Sequence, residues 1–131
     1  MFVDASALVA MVVGESDADA LADRLERAPV KLTSALALYE AALATARLRE
    51  TSVEAARIVL QEFVVEAALS LVAIGEPEFD VALRAFNRFD KGRHAARLNM
   101  GDCFAYACAK VHGVPLLFKG DDFTLTDIDV A

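Results

Sequence analysis

Leu98-Asn99-Met100-Gly101-Asp102-Cys103-Phe104-Ala105-Tyr106-Ala107-Cys108-Ala109-Lys110-Val111-His112-Gly113-Val114-Pro115-Leu116-Leu117-Phe118-Lys119-Gly120-Asp121-Asp122-Phe123 is the stretch that decides the fold. Its first half reads as a helix that is apolar nearly all the way round, through Phe104, Ala105, Tyr106, Ala107, Cys108, Ala109 and Val111. A helix of that kind is buried. Asn99 opens it and Gly113 breaks it; Val114 to Phe118 then reads as a buried strand. Asp102 stands where the helix starts, and Asp121 and Asp122 stand where the strand ends. The one acid of this apolar helix therefore lies in its first turn, and the question is which other carboxylates reach the same place.

The rest of the chain repeats the strand–helix alternation. Met1-Phe2-Val3 reads as a short buried strand ending at Asp4, with a helix from Ala5 to Val12 directly after it. Ser16 or Asp17 caps a helix from Ala18 to about Arg27, and Pro29 stops it. Val30 to Thr33 reads as a second strand. Thr33 or Ser34 caps a long helix to about Glu50, with Leu36, Tyr39, Leu43 and Ala46 as its apolar stripe. Thr51 or Ser52 opens a helix to about Ala68, and Ser70 to Ile74 reads as a third strand. Pro77 sits in the first turn of a helix to about Phe89. Asp90 to Arg97 is a basic loop, and Asp127 to Val130 reads as a short edge strand. Such alternation predicts one α/β domain over residues 1–131, three-layer α/β/α with a mostly parallel sheet.

Composition narrows the function. The 56% hydrophobic content excludes a disordered chain. Apolar runs fall far short of the roughly 20 residues of a membrane span, and a strand beginning at Phe2 leaves no room for a signal peptide. Cys103 and Cys108, five apart on one helix, read as reduced core thiols and not as a bridge or metal pair, which fits a cytoplasmic protein. Twenty acids against 13 bases give a net charge of −7, which argues against a broad basic surface for nucleic acid. What remains is either no nucleic-acid ligand or an acidic cluster that takes up cations before any phosphate arrives.

In an open parallel sheet, ligands gather at the carboxyl ends of the strands. Asp4 and Asp121-Asp122 follow strands, Asp102 reaches the same edge if its helix runs antiparallel to the next strand, and Glu40 lies two turns into a helix that starts where a strand ends, so the topology permits these acids to meet there. Each has a structural reading as well. Asp4 is a good helix N-cap, Asp102 pairs with Asn99 as a capping arrangement, and Asp121-Asp122 suit a turn after Gly120. Glu40 is hardest to dismiss, because a carboxylate within an apolar stripe is costly unless paired or coordinated, and Arg47 is seven residues away. Four crowded carboxylates repel one another until a hard divalent cation, Mg²⁺ or Mn²⁺, relieves the crowding. Such a site suits phosphate chemistry.

These blocks resemble a known family. Val3-Asp4-Ala5-Ser6-Ala7-Leu8, Thr33-Ser34 with Glu40, Lys91-Gly92-Arg93-His94, Leu98 to Tyr106 and Leu116 to Phe123 are similar to PIN-domain ribonucleases, and more closely to the VapC toxins of type II toxin–antitoxin systems. The resemblance covers the whole chain. It implies a Mg²⁺- or Mn²⁺-dependent endoribonuclease that hydrolyses single-stranded or looped RNA, tRNA or rRNA among the options, to 5′-phosphate and 3′-hydroxyl ends. It implies metal-binding and catalytic roles for Asp4, Glu40, Asp102 and Asp122. Asp122 is favoured over Asp121 because the family's acid stands just before Phe; Asp121 and Asn99 are secondary candidates. Ser6 matches a small hydroxyl residue beside the first Asp. Its other reading is an early-helix hydroxyl that satisfies a free N–H.

Lys91, Arg93, His94 and Arg97, with Lys119, are expected to steer the RNA backbone; the loop reads equally as a solvated turn. His94 and His112 are not expected to ligate metal. The resemblance also implies a homodimer that binds a VapB-type antitoxin, as a heterotetramer or larger, through a hydrophobic groove. Leu8, Val9, Val12 and the helical pair across 36–69 are its candidate lining, and core packing is their other explanation. Two further classes stay open: a phosphoacceptor signalling module, with Lys119 as its lysine, and a catalytically inactive protein of the same fold.

Overall fold

The computed structural model describes all 131 residues except Lys91 and Arg93. Four short parallel strands form one sheet: β1 (Phe2–Val3), β2 (Leu32–Ser34), β3 (Ser70–Val72) and β4 (Leu116–Leu117). Their spatial order is β3-β2-β1-β4. Phe2 pairs with Leu32 on one side and Leu116 on the other, and Leu32 pairs with Ser70, so the carboxyl ends line up along one edge. The chain winds from β1 outward to β3, then returns to place β4 on the far side of β1. A reversal of that kind opens a crevice beyond the carboxyl ends of the two strands that flank it, here β1 and β4.

Helices cover both faces. Helices α1 (Ala5–Val13), α2 (Ala18–Glu26), α3 (Ala35–Leu48) and α4 (Val53–Glu66) pack on one side, around Val3 and Leu117. Helices α5 (Glu76–Phe89) and α6 (Met100–His112) pack on the other, around Phe2 and Leu116. Adjacent strand residues thus feed opposite cores, as the two-residue strand period requires. Phe2, Val3, Leu116 and Leu117 are completely buried. The expected three-layer architecture is what the chain adopts.

Local details refine the sequence reading. Ser34 closes β2 and also caps α3, its Oγ accepting the Ala37 N–H at 3.1 Å. Ser52 caps α4 in the same way. Asp17 stands at the start of α2 without a side-chain cap bond. The C-terminal segment contributes one parallel bridge, Leu116 with Val130, in place of a full edge strand. It is clasped from α6: the Tyr106 hydroxyl donates to Asp127 at 2.6 Å, and the Lys110 ammonium donates to the Asp127 carbonyl at 2.7 Å. Cys103 and Cys108 are free, buried thiols. Burial pushes them up to about 11 and about 12, so neither is a nucleophile.

The stripe assigned to α3 needs correction. Tyr39 and Leu43 are exposed, and the buried positions are Ala37, Ala41, Thr45 and Ala46. Small residues face inward because α3 lies close against α1 and α6, while its larger side chains face outward. Leu8, Val9 and Val12 are likewise core residues of α1 and line no surface groove. Among the described residues no helix is long and apolar enough to cross a membrane.

Candidate functional site

The crevice at the β1/β4 edge collects acids from both helical layers. Asp4 follows β1 and caps α1. Its Oδ2 accepts the Ser6 N–H at 2.9 Å and the Ser6 hydroxyl at 2.5 Å. Both bonds fall on one oxygen, so the cap uses only one side of the carboxylate. The Asp4 N–H itself donates to the Leu117 carbonyl at 2.9 Å, tying it to the end of β4. The Ser6 hydroxyl oxygen in turn accepts the Lys119 N–H at 3.0 Å. Ser6 therefore links the ends of two strands and fixes the Asp4 carboxylate between them. Neither sequence reading of Ser6 included that cross-link.

Asp102 is held by the same economy. In the first turn of α6, Asn99 Oδ1 accepts the Asp102 N–H at 3.0 Å, and Asp102 Oδ2 accepts the Asn99 N–H at 2.9 Å. This reciprocal capping box immobilises the carboxylate through one oxygen. Asn99 is thus a positioning residue for Asp102. The structural and functional readings of Asp4 and Asp102 are not rivals: the cap aims the acid.

Glu40 reaches the crevice from α3, on the opposite layer, with its carboxylate lying over Gly101 at the start of α6. A small recess there is lined by Asp4, Ser34, Ala37, Glu40, Gly101 and Phe104. Asp122, exposed after β4, completes the group.

Electrostatics shows which of the four feel one another's charge. Asp4 is only 5% exposed, and burial raises its carboxyl above the usual range against the lowering effect of the Ser6 and Ala5 bonds; Asp122 adds repulsion. Burial also raises Glu40, with repulsion from Asp4. Asp102 is pushed up to about 7, by burial first and then by Asp4, Asp122 and Glu40, against the lowering effect of the Asn99 N–H. Each of the four thus takes part in repulsion with at least one of the others. Asp121 is not among these neighbours; its carbonyl instead accepts the Thr124 N–H and hydroxyl in a turn.

The donor set is all oxygen, with no thiolate or imidazole, which fits a hard divalent cation such as Mg²⁺ or Mn²⁺. Among the described residues no three His, Cys, Asp or Glu side chains close around a single point.

The other residues singled out lie elsewhere or are engaged. Lys91 and Arg93 fall outside the described residues. His94 packs edge-on against Phe89, and its Nδ1 accepts the Ala96 N–H at 3.0 Å, so it braces its loop. Arg97 is exposed, with a positive φ of 57°. The Lys119 ammonium pairs with Glu15, and with Asp17 at 3.3 Å. His112 faces the buried Glu78 at 3.7 Å.

On the outer side of α3 lies a second feature, a groove of about 490 Å³. Leu38, Tyr39 and Ala42 of α3, Val53, Leu60 and Val64 of α4, and Leu71 of β3 line it, with Arg57 at its side. This groove, and not α1, is the exposed apolar surface that the helical pair forms.

Comparison with known proteins accords with this geometry. The profile of the PIN domain matches residues 1–129. A VapC ribonuclease of Mycolicibacterium smegmatis is 41% identical over 128 residues, covering 98% of this chain and 97% of that protein. Ribonuclease VapC30 of Mycobacterium tuberculosis is 43% identical over 129 residues, covering 98% and 95%. The crystal structure of Mycobacterium tuberculosis VapC20, a toxin that cleaves the sarcin–ricin loop, superposes with a TM-score of 0.72 over 99% of this chain and 97% of that one. At 19% identity, that likeness speaks for the fold alone.

Proposed function

The chain belongs to the PIN-domain family, among its VapC ribonucleases, and from that premise we propose that it is the toxic endoribonuclease of a type II toxin–antitoxin pair, with its chemistry at the β1/β4 crevice. One observation carries the assignment of the site. Asp4, Glu40, Asp102 and Asp122 come from four separate segments; burial and mutual repulsion raise Asp4, Glu40 and Asp102, with Asp122 among the repelling charges and no basic side chain among the causes.

Asp4 and Asp102, each fixed by its helix cap, would hold the principal divalent cation. Glu40 and Asp122 would support that cation and orient the attacking water. When bound, Mg²⁺ or Mn²⁺ supplies Lewis acidity toward a phosphodiester and lowers the pKa of water. Ser6 and Asn99 keep the two principal carboxylates fixed, so little reorganisation is needed as the substrate arrives. Phe104 lines the recess beside Asp4 and Glu40, and the burial of Asp4 there strengthens the charge interactions it makes. In this reading the water oxygen bonds to phosphorus as the P–O3′ bond breaks and the departing O3′ takes up a proton, so the ends are a 5′-phosphate and a 3′-hydroxyl, as the family resemblance implies.

The substrate is a single-stranded or looped RNA. With a net charge of −7, the bound cation and the loop around Arg97 provide the positive potential that such a substrate needs. The groove between α3 and α4 suits the apolar side chains of a VapB-type antitoxin, since it exposes Tyr39, Val53, Val65 and Leu71 together. The groove and Glu40 share helix α3, so an antitoxin seated there would sit on the helix that carries one of the acids. The protein acts as a homodimer in this reading, and in a heterotetramer or larger with its antitoxin.

A phosphoacceptor module is not favoured, because the lysine that it requires beside the acids is committed to Glu15 and Asp17. The test is direct. Purified free of antitoxin, the chain is expected to cleave cellular RNA with Mn²⁺, to stop with EDTA, and to leave 5′-phosphate ends. Asp4→Ala should remove both the cleavage and the growth arrest on expression. Cleavage that persists in Asp4→Ala would falsify the site.

A further inference from the structure

We propose that Gly101 is a positioning residue for the reaction: the side chain it lacks is the space in which the Glu40 carboxylate lies. The inference rests on the reading of the crevice as a divalent-metal site.

The geometry is specific. A Cβ built on Gly101 would meet Oε1, Cδ and Oε2 of Glu40, all nearer than real Cβ contacts come, and these three atoms are its nearest neighbours. No backbone reason for glycine exists at this position. The positive-φ glycines are Gly14, Gly113 and Gly120, and a Cβ on any of them meets nothing within 4 Å. Gly101 is the opposite case: it sits in the first turn of α6, where the backbone suits any L residue and glycine is a poor helix former. The sequence accepts that penalty at the one place where α6 passes under the Glu40 side chain.

The consequence concerns distance and direction. Glu40 comes from α3, in the layer opposite to α6, and must cross the top of the sheet to approach Asp4 and Asp102. With no atom on Gly101 in the way, the carboxylate rests against the start of α6, beside the turn that presents Asp102. A methyl group there would meet the end of a flexible side chain first, since its three nearest neighbours all belong to Glu40. The fold would keep its helix and lose the placement of one acid. Such a substitution separates positioning from stability, because the same methyl group favours the helix.

The experiment uses the full chain, stripped of metal with EDTA and dialysed, with Mn²⁺ binding read by isothermal titration calorimetry and folding by circular dichroism. Gly101→Ala is expected to fold with the wild-type spectrum and to bind Mn²⁺ about 10-fold or more weakly, the scale of a misplaced support around a metal. In a Glu40→Ala background the same substitution should change the Mn²⁺ Kd by less than about twofold, since the two effects share one contact. Glu40→Asp, one methylene shorter, should restore part of the loss in Gly101→Ala. If Gly101→Ala alone fails to fold, the proposal requires the double variant with Glu40→Ala to fold; a double variant that also fails overturns it. Wild-type affinity in Gly101→Ala overturns it too, and leaves the metal reading standing. Wild-type protein that binds no Mn²⁺, or binds it equally well as Asp4→Asn, sinks the metal reading and this proposal with it.

Discussion

The two ends of α6 treat their acids in opposite ways. At its start, Asp102 faces Asp4, Asp122 and Glu40, and its carboxyl is pushed up to about 7. Toward its end, α6 clasps Asp127 through the Tyr106 hydroxyl at 2.6 Å, with Lys110 at 3.9 Å and Arg88 at 3.4 Å, and these hold the carboxyl below its usual range, the hydroxyl most of all. Glu78, near His112, is also lowered, first by the Gly75 N–H. Helix direction does not explain the contrast. The positive end of the dipole favours an anion at the start, yet the raised acid is the one at the start. The cause is company. Acids that fasten the fold have donors and cations around them; acids at the crevice have one another and low-dielectric walls. Perturbation upward, by burial together with like charges, is the pattern the proposed cation site calls for.

The sharpest way to break this comparison is to exchange charge for amide at each end. Asp102→Asn keeps the acceptor for the Asn99 N–H, so the capping box survives while the charge goes. Cleavage of RNA in Mn²⁺ is expected to fall by about 100-fold or more, as for loss of a preorganised charge at a reacting centre. Asp127→Asn should leave the cleavage rate within about twofold and lower the melting temperature by about 2–4 °C, the size of a partly lost charged hydrogen bond. Equal losses of activity at both ends would show that the distinction between fastening and working acids is false.

A smaller effect is expected at Ser6, which belongs to both categories. Its hydroxyl accepts from the Lys119 N–H and donates to Asp4, so it serves the sheet and the site together. Ser6→Ala should reduce cleavage by about 10- to 100-fold, as for partners that orient a ligand. Added Mn²⁺ should recover part of the loss if the defect is one of affinity. A loss that is wholly independent of Mn²⁺ concentration would move Ser6 from orienting Asp4 to contacting the substrate.

The fold was legible because its signals are local. Gly113 and Pro115 punctuate helix and strand, Ser34 and Ser52 cap, and the continuous apolar runs mark a doubly covered parallel sheet. Asp4 and Asp102 were legible as edge residues for the same reason, since a strand end and a helix start are visible in the chain. Glu40 was singled out on a mistaken premise. The stripe through Leu36, Tyr39 and Leu43 assumed that large residues face the core, whereas α3 turns Ala37, Ala41 and Thr45 inward and keeps Tyr39 and Leu43 outside. Close helix packing selects small residues, and no single-helix pattern announces that. Lys119 was assigned to RNA because its partners, Glu15 and Asp17, lie a hundred residues away. Gly101 was invisible as a site residue, because its role depends on a side chain from another layer.

The smallest expected effect is also the most discriminating, because it has opposite signs at the two ends of α6. Asp102 has a folded pKa of about 7 against an ordinary 3.8, so between those values the folded chain binds more protons than the unfolded one. Stability of the metal-free protein therefore falls as pH rises through that window, and is lowest above about 7. Asp127 has a lowered folded pKa, so its contribution is present above the ordinary carboxylate range and lost as pH falls through the folded value. In EDTA, the melting temperature should pass through a maximum on the acid side of neutrality and decline toward pH 8. After discounting for solvent screening, the decline due to Asp102 is on the order of 1 kcal/mol. Asp102→Asn should flatten the alkaline limb alone, and Asp127→Asn the acid limb alone. Saturating Mn²⁺ should abolish the alkaline decline in the wild type, because the cation replaces the proton as the species that makes four neighbouring carboxylates tolerable. An alkaline limb that stays unchanged in Asp102→Asn would mean that the repulsion at the start of α6 does not govern the stability of the metal-free fold.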